Sequence, residues 1–134
     1  MEVQNLPQVP LCTVSIKIET LLGIQYLLVP DQSKIHKVLI KDIVRLEGVK
    51  NYTLLHLNDG KTMISSRTLK VYNGVLQEAN FFRIHRAHLI NMQFLRNYDE
   101  TEMLYAVMQN RDILSISRRK RKDFQERMAI AKYE

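Results

Sequence analysis

The sequence predicts a mainly β domain in which short strands are joined by turns and accompanied by two short helices. Apolar and polar residues alternate from Val14 to Glu19, which is the two-residue period of a half-buried strand. The pair Asp59-Gly60 lies between two runs of strand-forming residues, and this arrangement is a strong signal for a β-hairpin. The candidate strands do not alternate with long helices, which argues against a doubly wound parallel sheet.

The length and composition indicate one soluble globular domain. The chain has 134 residues, of which 46% are apolar and 25% are charged. Residues 1–12 are predicted to form a loose arm, and residues 13–134 a single domain. Cys12 is the one cysteine, so no intrachain disulfide can form. The sequence lacks a signal-peptide pattern and a stretch long enough to cross a bilayer, so we expect a cytoplasmic protein without a membrane segment.

The first half of the chain is predicted to contain five strands that end at turn residues. Gly23 separates the first strand from the second, and Pro30 and Asp31 are expected to end the second. The hairpin around Asp59-Gly60 supplies the last two strands. The predicted strands are 13–19, 24–29, 39–46, 52–57 and 62–64.

The second half is predicted to contain two helices that flank three further strands. Apolar residues at helical spacing predict a short helix over 67–78, with Ser66 as its N-cap. Residues 81–91 mix apolar and basic side chains without a clear period. A final helix is predicted over 118–132. Its apolar face is made of Phe124, Met128 and Ala131. The strands between the two helices are predicted at 94–98, 103–108 and 113–117.

The residue patterns of enzymes and of metal sites are missing from the sequence. The four glycines are isolated, so there is no glycine-rich phosphate loop, and no serine lies in a nucleophile-elbow motif. His85 and His88 could share one face of a helix, but no third metal ligand lies nearby in the sequence. We therefore expect a protein that is not an enzyme and that needs no metal or organic cofactor.

The charge balance predicts an anionic partner. Lys and Arg number 20 against 14 Asp and Glu, which gives a net charge of +6. Nucleic acid, an anionic membrane surface and an acidic protein all fit this balance. One basic cluster, at 83–88, is held between apolar residues that anchor it to a core. A rigidly held loop that carries arginines is typical of a binding element, although a solvated loop is the alternative.

A second basic cluster consists of five consecutive cations at 118–122. These residues open the predicted final helix, where the macrodipole is positive and the backbone N–H groups lack partners. Phosphate would relieve this conflict because it pairs with the side chains and with the free N–H groups. An exposed, solvated helix face is the alternative explanation. Lys50 and Asn51, in the loop 47–52, form a third and weaker candidate.

The chain resembles the LytTR DNA-binding domains of bacterial transcription regulators. The matching elements occur in the family's order and spacing from about residue 35 to residue 128, and the segment from Ile16 to Val29 looks like the leading strands of stand-alone members. The residues that carry the resemblance are Asp42 to Gly48, Asn51 to Thr53, Leu69 to Leu76, Phe82 to Asn91 and Ile116 to Arg119.

The resemblance implies stacked small antiparallel sheets with short helices, and it implies that loops rather than a recognition helix read the DNA. It assigns base contacts to Asn51, Arg86 and Arg118. It assigns phosphate contacts to Lys50, His85, Ser117, Arg119 and Lys120. Ala87 departs from the family, which often has serine at that position. We further interpret Arg83 and Asn91 as hydrogen-bond partners of backbone groups within the loop.

The implied partner is double-stranded DNA, with direct repeats bound by pairs of protomers. Many family members carry a receiver domain before the motif, but the roughly 35 preceding residues here are too few for one. Two other classes remain open at this point. The first is a basic module that binds RNA, for which exposed aromatic side chains would be needed as stacking platforms. The second is a protein-interaction domain whose basic helix meets an acidic partner.

Overall fold

A computed structural model of the protein describes residues 15–31 and 34–132. Within this part of the chain, eleven strands form three antiparallel sheets, accompanied by two α-helices. The predicted class of small stacked sheets with two short helices is therefore confirmed. The predicted arm at residues 1–12 lies outside the described residues.

The N-terminal sheet has the order β1-β2-β3, with β1 at Lys17–Leu21, β2 at Ile24–Asp31 and β3 at Lys34–Leu39. The expectation that Pro30 ends the second strand is wrong, because Pro30 lies opposite Ile35 within the sheet. Strand β1 pairs with β2 only as far as Leu28. Pro30 therefore lies where β2 has an unpaired edge, and a missing N–H is tolerated there.

The central sheet has five strands in the order β6-β5-β4-β8-β7. The predicted hairpin is confirmed, and Gly60 has the positive φ of +89° that its turn requires. The strands are β4 (Ile43–Val49), β5 (Tyr52–Leu57), β6 (Thr62–Ser65), β7 (Phe81–His85) and β8 (His88–Asn91).

The continuous strand predicted over 39–46 is wrong. Leu39 ends β3, a 3₁₀ turn covers Ile40–Asp42, and β4 begins at Ile43. Ile40 and Ile43 are both buried in the same core. Residues three apart in one strand would point to opposite faces, so the chain must turn between them.

Helix α1 covers Leu69–Leu76, and its Leu69, Tyr72 and Leu76 are buried as predicted. The helix begins later than expected, and its N-cap is Thr68 rather than Ser66. The preceding residues are held in a turn, because the backbone N–H of Arg67 donates to Ser65 Oγ at 3.2 Å. That bond keeps the chain out of the helical conformation until Thr68.

The segment without a clear period is the β7–β8 hairpin. A bulge between Arg83 and His85 shifts the register, which disturbs the alternation of side chains. His85 lies opposite His88 across the hairpin, with ring centroids 5.3 Å apart. The two histidines therefore do not share a helix face.

The third sheet has the order β11-β10-β9, with β9 at Leu95–Tyr98, β10 at Tyr105–Met108 and β11 at Ile113–Ser115. These strands confirm the three predicted ones with shorter bounds. Strand β10 starts after Met103, which has a positive φ of +58° in the preceding turn.

Helix α2 covers Arg121–Ala131 and follows a 3₁₀ turn at Arg118–Lys120, so the predicted final helix opens with this tighter turn. Phe124 is buried and Met128 is half-buried. Ala131, the last residue of the predicted apolar face, is exposed. The last turn of the helix extends beyond the core, and Ile130 is also exposed there.

Two hydrophobic cores lie on opposite faces of the central sheet. The first packs the N-terminal sheet and α1 against it, with Leu27, Leu46 and Tyr72 fully buried. The second packs the third sheet and α2 against the other face, where the rings of Phe82 and Phe124 meet edge-on at 5.7 Å. This stacking fixes where the loops at the ends of the central sheet lie.

Candidate nucleic-acid interface

Three chain connections that carry the predicted site residues meet at one end of the central sheet. They are the β4–β5 turn, the β7–β8 turn and the segment before the 3₁₀ turn at Arg118–Lys120. The backbone N–H of Gly48 donates to the carbonyl of Ala87 at 2.9 Å. The backbone N–H of Ser117 donates to the carbonyl of Ile84 at 2.8 Å. These two bonds join the three connections into one continuous surface.

The first turn of α1 and the β7–β8 turn both lie beside Gly48, where an added Cβ would be in van der Waals contact with them. A Cβ built on Gly48 would lie 3.4 Å from the side chain of Leu69 and 3.9 Å from the Cα of Ala87. Lys50, in the adjacent β4–β5 turn, has a positive φ of +56°. The first turn of α1 and the β7–β8 turn are therefore both packed against the end of β4.

The β7–β8 turn is braced from inside by Arg83. Its guanidinium donates from Nη2 to the carbonyl of Arg86 at 2.5 Å and from Nε to the carbonyl of His85 at 3.4 Å. Burial lowers the pKa of Arg83, yet a guanidinium remains charged in proteins. The prediction that Arg83 serves backbone groups of its loop is confirmed.

Asn91 also serves backbone groups, as predicted, but of neighbouring elements. Its Nδ2 donates to the carbonyl of Ile43 at 2.9 Å, and its Oδ1 accepts from the backbone N–H of Gln93 at 3.0 Å. Asn91 is buried. It therefore fixes the end of the hairpin opposite to the turn.

His85 is oriented by the same turn. Its Nδ1 accepts a hydrogen bond from the backbone N–H of Ala87 at 3.0 Å. A backbone N–H can only donate, so Nδ1 carries no proton and the neutral ring has its proton on Nε2. Nε2–H is then the donor that His85 can offer to an anion.

Two clefts lie on either side of the β7–β8 turn, and Arg83 and Arg86 line both. The Lys70 cleft has a volume of about 480 Å³ and is also lined by Lys50, Thr68 and Lys70. The Ser117 cleft has a volume of about 390 Å³. Its other lining residues are Asn73, His85, Ser117, Arg119 and Lys120. No lining residue of either cleft is acidic.

The clefts bring together six of the eight predicted site residues, and the other two lie beside them. Asn51 and Arg118 are exposed and line neither cleft, but each directly follows a residue that does. Sequence reasoning missed Lys70 and Asn73. The helical pattern of α1 identifies only its buried face, and one lysine outside a basic run carries no signal. The six residues are Lys50, His85, Arg86, Ser117, Arg119 and Lys120.

The cations of this surface have no ion-pair partner in the described part of the chain. Among residues 15–31 and 34–132, no carboxylate oxygen lies within 4.0 Å of the side-chain nitrogens of these cations. The cations are Lys50, Lys70, Arg86, Arg118, Arg119 and Lys120. Their charge is therefore available to an external anion.

The chain enters the 3₁₀ turn and α2 without a side-chain cap. Neither Ser117, which precedes the 3₁₀ turn, nor Lys120, which precedes α2, provides a side-chain cap. Among the five cations at 118–122, Arg121 is engaged within the protein, because its Nε donates to the carbonyl of Ile116 at 3.3 Å. The side chains of the other cations and the first backbone N–H groups of the 3₁₀ turn can pair with the same anion.

Residues 15–31 and 34–132 contain neither a cluster of metal ligands nor a helix able to span a membrane. No group of three or more His, Cys, Asp or Glu side chains is placed to hold a metal ion there. None of the helices in this part of the chain combines the length and the apolar character needed to cross a membrane.

Comparison with known proteins agrees with this geometry. The LytTr DNA-binding domain family matches residues 33–129. The structure is similar to the LytTr DNA-binding domain of a protein described as a methyl-accepting/DNA response regulator from Bacillus cereus. The TM-score is 0.63, with 16% identity over 75% of this chain and 94% of that domain. No curated protein matches the chain. Because the family match covers well over half of its residues, the chain belongs to the LytTr DNA-binding domain family.

Proposed function

We propose that the protein is a transcription regulator that binds specific sequences of double-stranded DNA and reads them with loop residues. One observation carries the proposal. Three connections are held together by the Gly48–Ala87 and Ser117–Ile84 backbone hydrogen bonds, and they present cations without carboxylate partners among the described residues. A rigid basic surface of this kind suits a polyanion of regular shape.

Base reading is assigned to three exposed side chains, Asn51, Arg86 and Arg118. The guanidinium groups of Arg86 and Arg118 can each bond guanine O6 and N7 in a bidentate manner, and the amide of Asn51 can pair with adenine. Exposure supports these roles, because a side chain must reach out of the surface to enter a groove.

Phosphate binding is assigned to Lys50, His85, Ser117, Arg119 and Lys120, which line the clefts around the β7–β8 turn. These contacts set the register on the duplex without reading its sequence. We further propose that pairs of protomers occupy direct repeats and that the protein acts in the cytoplasm.

Selection of bound duplexes from a random pool tests the proposal. The purified chain should enrich one sequence motif, and two copies of the motif at fixed spacing would support paired protomers. Recovery of duplexes with no common motif would contradict sequence-specific binding. The enriched duplex then serves as the cognate probe for variants.

Arg86→Ala and Arg118→Ala should each weaken binding to the cognate duplex by about 1–3 kcal/mol and relax the preference at one base position. Lys120→Ala should weaken cognate and random-sequence duplexes alike. Lys41→Ala is the matched control, because Lys41 is exposed and lines neither cleft. Equal losses on both duplexes for Arg86→Ala and Arg118→Ala would remove their base-reading roles.

Single-stranded RNA is the second candidate partner. Tyr52 favours it, because this ring is 52% exposed directly after the β4–β5 turn and could stack on a base. A competition experiment separates the two partners. A labelled cognate duplex should resist displacement by excess single-stranded RNA, and ready displacement would favour the RNA-binding module.

A further inference from the structure

The β7–β8 turn forms a ridge between two basic clefts. Arg83 and Arg86 line both clefts, so they form the wall that separates them. Lys50 and Lys70 add positive charge on one side of the ridge. Arg119 and Lys120 add it on the other side.

We propose that the ridge enters one groove of the duplex and that the two clefts receive the two sugar-phosphate strands that border this groove. Lys70, in the Lys70 cleft, and Asn73, in the Ser117 cleft, are then DNA-contacting residues of α1. This inference rests on the proposed function and deepens it. It adds a helix to an interface that is otherwise built from loops.

The shape of the duplex supports this assignment. Each groove is bordered by two strands, and each strand carries one negative charge per nucleotide. A projection that enters a groove therefore has phosphates on both flanks. The ridge has a cleft on each side, and neither cleft has an acidic lining residue. This arrangement can receive two phosphate strands rather than one.

Helix α1 is placed to serve both clefts. Lys70 and Asn73 are three residues apart, so they lie on neighbouring positions of one helix face. The rotation of the helix is fixed, because Tyr72 is fully buried and its hydroxyl donates to Ser65 Oγ at 2.5 Å. The helix therefore passes the ridge with one polar side chain directed to each cleft.

Lys70 can be replaced without harm to the helix. Lys70 is the second residue of α1, so its cation lies at the positive end of the helix dipole. No acidic residue in the first turn offsets this repulsion. Alanine removes that conflict and is a better helix former. A loss of binding in Lys70→Ala therefore reports a lost contact rather than a damaged fold.

The salt dependence of binding to a random-sequence duplex is the first measurement. Loss of one phosphate contact should lower the slope of log K against log salt by about 0.9, which corresponds to about eightfold weaker binding at about 0.1 M salt. We expect this change for Lys70→Ala, whereas the control Lys41→Ala should keep the wild-type slope. An unchanged slope and affinity in Lys70→Ala would overturn the inference.

Neutral methylphosphonates placed one at a time along the cognate duplex show which strand each residue contacts. A methylphosphonate at the phosphate that Lys70 contacts should weaken binding of the wild-type protein but not of Lys70→Ala. For Lys120→Ala and Asn73→Ala, the methylphosphonate that no longer weakens binding should lie on the other strand. If Lys70→Ala and Lys120→Ala lose their sensitivity on the same strand, the two-strand arrangement is wrong.

These outcomes separate the inference from the proposed function. If wild-type protein enriches a cognate duplex but Lys70→Ala binds it as tightly, the inference fails and the proposed function stands. If wild-type protein binds no duplex in a salt-dependent way, the proposed function fails and the inference falls with it.

Discussion

The substitution Arg83→Lys tests whether the orientation of the β7–β8 turn, rather than its charge alone, is needed for base reading. Lysine keeps the positive charge that both clefts share, but it lacks the planar fork that spans the carbonyls of His85 and Arg86. The 3.4 Å bond to His85 is near the limit of a hydrogen bond, so the 2.5 Å bond to Arg86 contributes most.

The magnitude follows from that one bond. A hydrogen bond to a charged group contributes about 1.5–3 kcal/mol, and exposure of Arg86 to water reduces this, so we expect the free energy of unfolding to fall by about 1 kcal/mol. Arg86 is then held loosely. Binding to the cognate duplex should weaken almost as much as in Arg86→Ala, by about 1–3 kcal/mol.

The assay compares binding of Arg83→Lys to the cognate duplex and to a random-sequence duplex, with urea unfolding as the measure of stability. Binding to the random-sequence duplex should remain near the wild-type value, because the net charge is unchanged. Cognate binding should fall by about 1–3 kcal/mol, so the difference in affinity between the two duplexes should narrow without disappearing. If Arg83→Lys kept the wild-type base preference, the bracing role assigned to Arg83 would be refuted.

Two further predictions concern titratable groups behind the surface. Burial raises the pKa of Tyr72 from 10.0 to about 12, so this tyrosine contributes stability that is lost as pH rises above about 10. Tyr72→Phe should remove that alkaline loss and cost about 0.5–1.5 kcal/mol at neutral pH, measured by urea unfolding. Burial, followed by the charge of Arg45, lowers the pKa of His88 below its ordinary 6.5. The unfolded chain therefore binds more protons, and the free energy of unfolding should fall as pH drops below about 6.5. The fall is less than about 1.4 kcal/mol per pH unit, because His88 takes up at most one proton. His88→Gln should reduce that dependence, and an identical pH profile in wild type and His88→Gln would contradict it.

The elements that the sequence predicts well are those with one buried face. Strands β5 and β6 have a turn signal between them, and the buried residues of α1 follow the helical period. The β7–β8 hairpin has no such period because it lies between the two cores. Phe81 packs into the first core, and Ile84 packs into the second. A strand that is apolar on both faces shows no alternation.

The candidate surface was predictable only in part for a related reason. The basic runs at 83–88 and 118–122 are visible in the sequence, and the family resemblance implies that three loops contact the DNA. Lys70 and Asn73 lie on the exposed side of α1, which looks like any solvated helix face. Packing of Leu69 beside Gly48 brings this face next to the β7–β8 turn, and nothing local in the sequence records that contact.

Composition alone does not produce the positive surface, because the chain also carries acidic residues close to it. Glu47 lies near the β4–β5 turn, but its carboxylate accepts from His56 at 3.0 Å and lies 3.6 Å from Arg45. Arg45 is buried and also donates to Asp112 at 2.8 Å, from a position 67 residues away. Burial opposes the ionisation of Asp112, yet hydrogen bonds from Arg45 and Asn110 outweigh it and hold its pKa below the ordinary value. Arg45 therefore neutralises two half-buried carboxylates, and the cations at the tips of the β4–β5 and β7–β8 turns keep their charge because these two acids pair with Arg45 instead.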